Sequence, residues 1–238
     1  MQLDILVFSA HPDDVELSCG GTVIKHIAAG KKVGVVDLTR GEKGTRGTPE
    51  TRQQEADTAS RLMGLSIREN LGFDDCFFAV DKAHIVEVVR MIRKYRPKVV
   101  IANAIDDRHP DHGRAARLVV EAIFYSGLVK IETLENGVVQ EAWRPQSLYH
   151  YIQDRFMKPD FVVDISDFME RKIEVIKAFS SQFHDPNSTE PSTYISSERF
   201  MPGIIARAAE FGNPIAVKYA EGFLAARIPG VDDITALA

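Results

Sequence analysis

Residues 5–39, ILVFSAHPDDVELSCGGTVIKHIAAGKKVGVVDLT, decide the fold. The run ILVFSA at 5–10 is almost continuously apolar, which fits a strand covered on both faces rather than one with a wet side. Leu17, Val23, Ile24 and Ile27 then recur at helical spacing over 15–29, and Gly30 supplies a helix stop. KVGVVDLT at 32–39 reads as a second buried strand, completing a βαβ unit whose two strands run parallel.

The same alternation continues along the chain. A glycine- and threonine-rich loop, RGEKGTRGTPET at 40–51, precedes a helix at about 52–63, and a further helix covers about 82–95. VVIANA at 99–104 is another β-branched strand, followed by DDRHPDH and a helix at about 113–125. SLYHYI (147–152) and FVVDI (161–165) read as strands, 167–182 as a helix, 181–194 as a polar loop, and 197–211 and 214–226 as helical stretches. Together these predict an α/β, Rossmann-like three-layer fold with a mostly parallel sheet. A single domain over 1–238 is expected, with a less regular C-terminal third (about 183–238) packed on it.

The bulk composition excludes several classes. With 45% hydrophobic and 26% charged residues the chain is that of a folded globular protein. Lys plus Arg number 29 against 34 Asp plus Glu, and no basic stripe marks a phosphate-backbone footprint, so no nucleic-acid partner is expected. Cys19 and Cys76 form no metal-binding pair and suit a reducing compartment. Met1-Gln2-Leu3-Asp4 runs straight into the first strand without signal-peptide character, and no run approaches the ~20 apolar residues of a bilayer span. A cytoplasmic protein with no membrane partner is the expectation.

Chemistry concentrates at two strand ends. His11-Pro12-Asp13-Asp14 follows the first strand, where open α/β sheets bind ligands. A dinucleotide site would place glycines there; an imidazole and two carboxylates repel phosphates and suit a divalent cation instead. The bland alternative is that Asp13 or Asp14 caps the following helix, worth ~1 kcal/mol. Asp106-Asp107-Arg108-His109-Pro110-Asp111-His112 occupies the equivalent position after the later strand, so the two clusters can converge. His11, Asp14 and His112 then give three ligands and an open position, the pattern of a catalytic metal site at the strand carboxyl ends. Asp13 can serve as the base and His109 as the oxyanion stabiliser. Asp106, Asp107 or Asp111 can orient the ligating histidines, Asp111 foremost. Arg46 and Arg52 offer guanidinium forks for a carboxylate or vicinal hydroxyls, with a solvated loop charge as the rival reading of Arg46. His26 and His84, on helices, read as structural or solvated; His150 lies in a strand, and the role of His184 is open.

The HPDD and HPDH motifs resemble those of the PIG-L/LmbE-like family of zinc-dependent N-acetylglucosaminyl deacetylases. GEKGTRGTPETRQQEA, RENLGF and HPDHGRAARLVVEAIFYSGL are similar to its bacillithiol-pathway branch, acting on N-acetyl-α-D-glucosaminyl L-malate, and the likeness extends to about residue 185. The resemblance implies zinc, or another divalent transition metal, on His11, Asp14 and His112, with Asp13 as base and His109 as acid or oxyanion stabiliser. It also implies substrate contact by Arg52, a tyrosine near the oxyanion at Tyr194, a small amino-sugar conjugate as partner, and a homo-oligomer, possibly a hexamer. Rival expectations are a deacetylase of another N-acetyl sugar or N-acyl conjugate, and a non-catalytic metal- or sugar-binding protein.

Overall fold

The computed structural model describes residues 1–236; the last two residues of the single-domain reading, 237 and 238, lie outside them. Nine strands and six α-helices follow in the order β1 (Ile5–Ser9), α1 (Asp14–Ala28), β2 (Val33–Thr39), α2 (Pro49–Met63), β3 (Ile67–Phe73), α3 (Lys82–Tyr95), β4 (Val99–Ala102), α4 (Pro110–Ser126), β5 (Leu134–Glu135), β6 (Val138–Val139), β7 (Ser147–Tyr151), β8 (Phe161–Asp164), α5 (Met169–Lys177), α6 (Phe200–Gly212) and β9 (Ala220–Ala225). Seven strands form one sheet in the order β3-β2-β1-β4-β7-β9-β8, while β5 and β6 make a separate small hairpin. β1 to β4 and β7 are parallel, and β9 runs antiparallel to both β7 and β8.

Both faces of the sheet are covered, as its unbroken apolar strands require. Leu6, Phe8, Val36, Leu38 and Val100 pack with Val88, Ile92, Leu118 and Val119 of α3 and α4. Ile5, Val7, Val33, Val35 and Ile101 face the other way, onto Val23, Ala59, Val175 and Ile176 of α1, α2 and α5. The result is the α/β three-layer fold expected. The chain winds outward from β1 through β2 to β3, then returns to place β4 on the other side of β1, so a crevice opens between the carboxyl ends of β1 and β4.

β3 and β9 depart from the expectation, and the small β5–β6 hairpin lies outside the expected elements. β3 was not foreseen, because IRENLGF carries charge in the middle of a half-buried strand. Its Arg68 is nevertheless buried, donating to Asp37 (2.7 Å) and Glu16 (2.6 Å), so tertiary pairing replaces the missing apolar pattern. The stretch 214–226, expected to be helical, instead follows a 3₁₀ turn at Asn213–Ile215 with β9 at Ala220–Ala225, a six-residue, mostly buried segment too short for periodicity to separate helix from strand.

β9 also repairs a break in α1. Cys19 leaves helical geometry (φ −133°, ψ 19°), and at Gly21 a side chain would meet Ile165 at 2.8 Å. The N–H groups of Gly21 and Thr22, freed at the kink, donate to the two carboxylate oxygens of Glu221 at 2.9 and 2.7 Å. Lys172, equally buried, neutralises that carboxylate at 2.6 Å. Glu221→Ala leaves a buried ammonium and two orphaned amides, so a loss of about 3–5 kcal/mol in urea unfolding is expected; a loss below about 1 kcal/mol, the value of an exposed pair, would contradict this role.

Candidate metal centre and active site

The crevice holds a cavity of about 240 Å³ lined by His11, Asp13, Asp14, Arg52, His109 and His112, together with the 41–46 loop, Gln153 and Tyr194. The turn after β1 aims two carboxylates apart. Asp13 sits at the helix start in a left-handed conformation (φ 109°), a strained setting for a non-glycine residue, and its side chain makes no capping bond. It faces the guanidinium of Arg52, 3.1 Å away, which also donates to the Pro12 carbonyl. The capping alternative therefore does not apply to Asp13. At Gly41 (φ +65°) a β-carbon would stand 3.3 Å from the same guanidinium, so the glycine gives the loop room beside it.

Asp14 lies between the two histidines. Its Oδ1 is 3.1 Å from His112 Nε2 and its Oδ2 is 3.7 Å from His11 Nδ1. Gln153 and Asn103 donate to it at 2.7 and 3.1 Å, fixing the carboxylate plane; neither residue was expected in the site. The far nitrogens of both imidazoles are held by further carboxylates. His11 Nε2 bonds Asp75 at 3.0 Å, with Asp111 at 3.4 Å, and His112 Nδ1 bonds Asp107. Asp107 thus orients His112, Asp111 stands behind His11, and Asp75, absent from the sequence reading, makes the shorter contact. His109 caps α4 by accepting the Asp111 N–H at Nδ1 (3.3 Å), which leaves Nε2 to carry the proton.

The electrostatics suit a cation. Despite burial, which favours the neutral form, Asp14 and Asp107 push the His112 imidazole up to about 9, and neighbouring carboxylates raise His11 well above its usual range. Protons thus gather where negative charge is in excess. Burial pushes the Asp13 carboxyl up to about 7 against the pull of Arg52, with Asp14 adding to the rise. Burial and the neighbouring His11 and His112 lower His109. Donor nitrogens of His11, His109 and His112 lie within 4.8 Å of one another. A second group, His11 with Asp75 and Asp111, meets the same spacing, and Asp14 joins neither group although its Oδ1 is 3.1 Å from His112 Nε2; imidazoles and carboxylates gathered in this way are donors that could hold a divalent transition metal.

The remaining expected residues divide. Arg52 is buried in the site, and its Nε has no partner among the described residues. Arg46 lines the cavity and is buried, but its guanidinium holds the segment 185–194, donating to Ser188 Oγ (2.8 Å) and Glu190 Oε2 (3.4 Å). Tyr194 is half exposed at the mouth, donating to Asp154 (2.9 Å), with the Arg108 guanidinium 4.5 Å above its ring. His26 bonds Thr22, His84 bonds Asp81, His150 bonds the Asn103 carbonyl, and His184 lies 3.8 Å from Glu198; none lines the cavity. Asp106 pairs with Arg155 on the surface.

A carboxylate-braced imidazole centre at the sheet's switch point could hold a metal ion, and the chain's likeness to known proteins indicates a hydrolytic enzyme. Residues 6–123 match the model of the PIG-L family, described as GlcNAc-PI de-N-acetylase. The conserved protein TT1542 of Thermus thermophilus has a structure similar to this one, with a TM-score of 0.86 and 38% identity over 97% of this chain and 98% of that one. Diacetylchitobiose deacetylase of Thermococcus kodakarensis is 27% identical over 89% of this chain and 88% of its own. The 1D-myo-inositol 2-acetamido-2-deoxy-alpha-D-glucopyranoside deacetylase of Acidothermus cellulolyticus is 27% identical over 76% and 80% respectively. Over its N-terminal half the chain is similar to the PIG-L family. Among the described residues no helix is long and apolar enough to cross a membrane.

The Arg46 contacts have a measurable consequence. Arg46→Ala removes the charged donor that holds 185–194, and at about 1.5 kcal/mol for such a bond, cleavage of this segment by a nonspecific protease should accelerate about tenfold. An unchanged cleavage rate would show that other contacts hold the segment.

Proposed function

We propose that the chain hydrolyses the acetamide of an N-acetylglucosamine conjugate, with N-acetyl-α-D-glucosaminyl L-malate, the bacillithiol precursor, as the candidate substrate. The carrying observation is the placement of Asp13 and His109 around His11, Asp14 and His112 in one cavity. Relatives that act on diacetylchitobiose and on an inositol glycoside of acetamidoglucose support the 2-acetamido sugar as the common element. The likeness of the 41–56, 68–73 and 109–128 segments to the bacillithiol branch supports the malate conjugate.

In this reading His11, Asp14 and His112 would hold a zinc ion, or another divalent transition metal, which would supply Lewis-acid polarisation of the carbonyl and a lowered pKa of water. Asp13 takes the proton from the attacking water, its raised affinity for protons suiting a base that works near neutrality, and returns it to the departing amine. His109, its tautomer set by the Asp111 N–H, donates from Nε2 to the developing oxyanion. Arg52 steadies Asp13 through one nitrogen and has Nε left for a substrate hydroxyl or carboxylate.

The test is amine release from N-acetylglucosaminyl malate, the inositol glycoside, diacetylchitobiose and free N-acetylglucosamine, with metal content measured in parallel. Turnover on the malate conjugate above the others is expected, lost on chelation and restored by added zinc. A metal-loaded protein inactive on every N-acetyl sugar sinks the reading. Asp13→Asn should retain metal and lose about 10²–10⁴ in rate, the range for a positioned general base.

A further inference from the structure

The loop of residues 41–47 forms a wall of the cavity, supplying Gly41, Lys43, Gly44, Thr45 and Arg46. Its backbone is tied to the centre through one residue. Asp75 Oδ1 lies 3.0 Å from His11 Nε2, while Asp75 Oδ2 accepts the backbone N–H of Lys43 at 2.9 Å. The Asp75 N–H in turn donates to Glu42 Oε1 at 2.8 Å, closing a ring between the loop and residue 75. The next residue is fixed too: Cys76, at φ +67°, donates its N–H to Asp111 Oδ2 at 2.9 Å. Asp75 is 3% exposed, so both its oxygens work away from water, where hydrogen bonds to a charged group are strongest.

From this geometry we infer that Asp75 is a positioning residue that couples the 41–47 loop to His11, so that ordering of the substrate-side wall and metal occupancy strengthen each other. One carboxylate serves both tasks. Accepting from Nε2–H fixes the His11 tautomer with Nδ1 free for a metal, and the same orientation of Asp75 meets the Lys43 N–H. A metal ion on Nδ1 takes the place of a proton there and pins the ring at a fixed point, which holds Nε2–H, and with it Asp75, in the position that fixes the loop. By linkage the effect is reciprocal: a ligand that orders the loop raises metal affinity by the same factor. The inference rests on His11 being a metal ligand, as in the proposed function.

The test compares apo protein with protein loaded with zinc or cobalt(II), using amide hydrogen exchange across 41–47 with helix α3 as internal reference. Metal should slow exchange in 41–47 about five- to tenfold while leaving α3 unchanged, a measurement that needs no variant. Asp75→Asn keeps one acceptor but sets an NH₂ group against one of the two N–H donors. It should raise the metal dissociation constant about 10–100-fold, shift the visible spectrum of the cobalt form, and abolish the metal-dependent protection of 41–47. Lys43→Ala, which keeps the backbone N–H and loses an exposed pair with Asp74 and a cation–π contact with the exposed Phe77, should retain both metal affinity and protection. A protein that binds no metal would overturn the proposed function and this inference with it. A protein that binds metal with no protection of 41–47, or an Asp75→Asn variant with parental affinity and protection, would overturn the coupling alone.

Discussion

Buried negative charge is the constraint on which the rest of this structure depends. Asp13, Asp14, Asp75, Asp107 and Asp111 all lie under water-excluding walls at the carboxyl ends of β1 and β4. A carboxylate in such a place is tolerated only when paired. The protein pairs every one: Asp13 with Arg52, Asp14 and Asp107 both with His112, Asp75 with His11, and Asp111 with Arg114. The neighbouring elements are shaped by these pairs. The strained backbone at Asp13, the glycine passage beside Arg52, and the histidine cap of α4 each keep a charged group facing its partner rather than solvent.

That constraint explains what the sequence disclosed and what it withheld. β1, α1, β2 and β4 are legible because both faces of the inner sheet are apolar and the strands read as unbroken runs. The HPDD and HPDH clusters stand at the ends of such runs, so their convergence follows once the strands are taken as parallel neighbours. β3 hides because Arg68 is buried through ion pairs, which leave no periodic trace. Asp75 hides for a related reason: it follows an irregular turn after β3, with no strand reading to place it beside β1. Gln153 and Asn103 are uncharged and carry no motif, and only the packing of β7 beside β4 brings them to Asp14.

The C-terminal third is legible as composition but not as arrangement. The polar run 181–194 is a loop, as its residues suggest, yet its role comes from long-range pairing. Gln182 donates to the Arg46 carbonyl, Glu190 accepts the Gly47 N–H, and Arg46 reaches Ser188. An arginine that reads equally as a surface charge or a ligand contact is, in the fold, the clasp between two walls of the cavity.

The long stretch of chain between Gly21 and Glu221 sets the order in which the molecule can be completed. Helix α1 begins at the metal-type centre, but its broken middle turn is satisfied only by a carboxylate near the chain's end. During synthesis, the segment that presents His11 and Asp14 therefore emerges early and waits with two unpaired amides until residue 221 has left the ribosome. A nascent chain stalled before β9 carries His11, Asp14 and His112 but not the carboxylate that completes the helix beginning at Asp14.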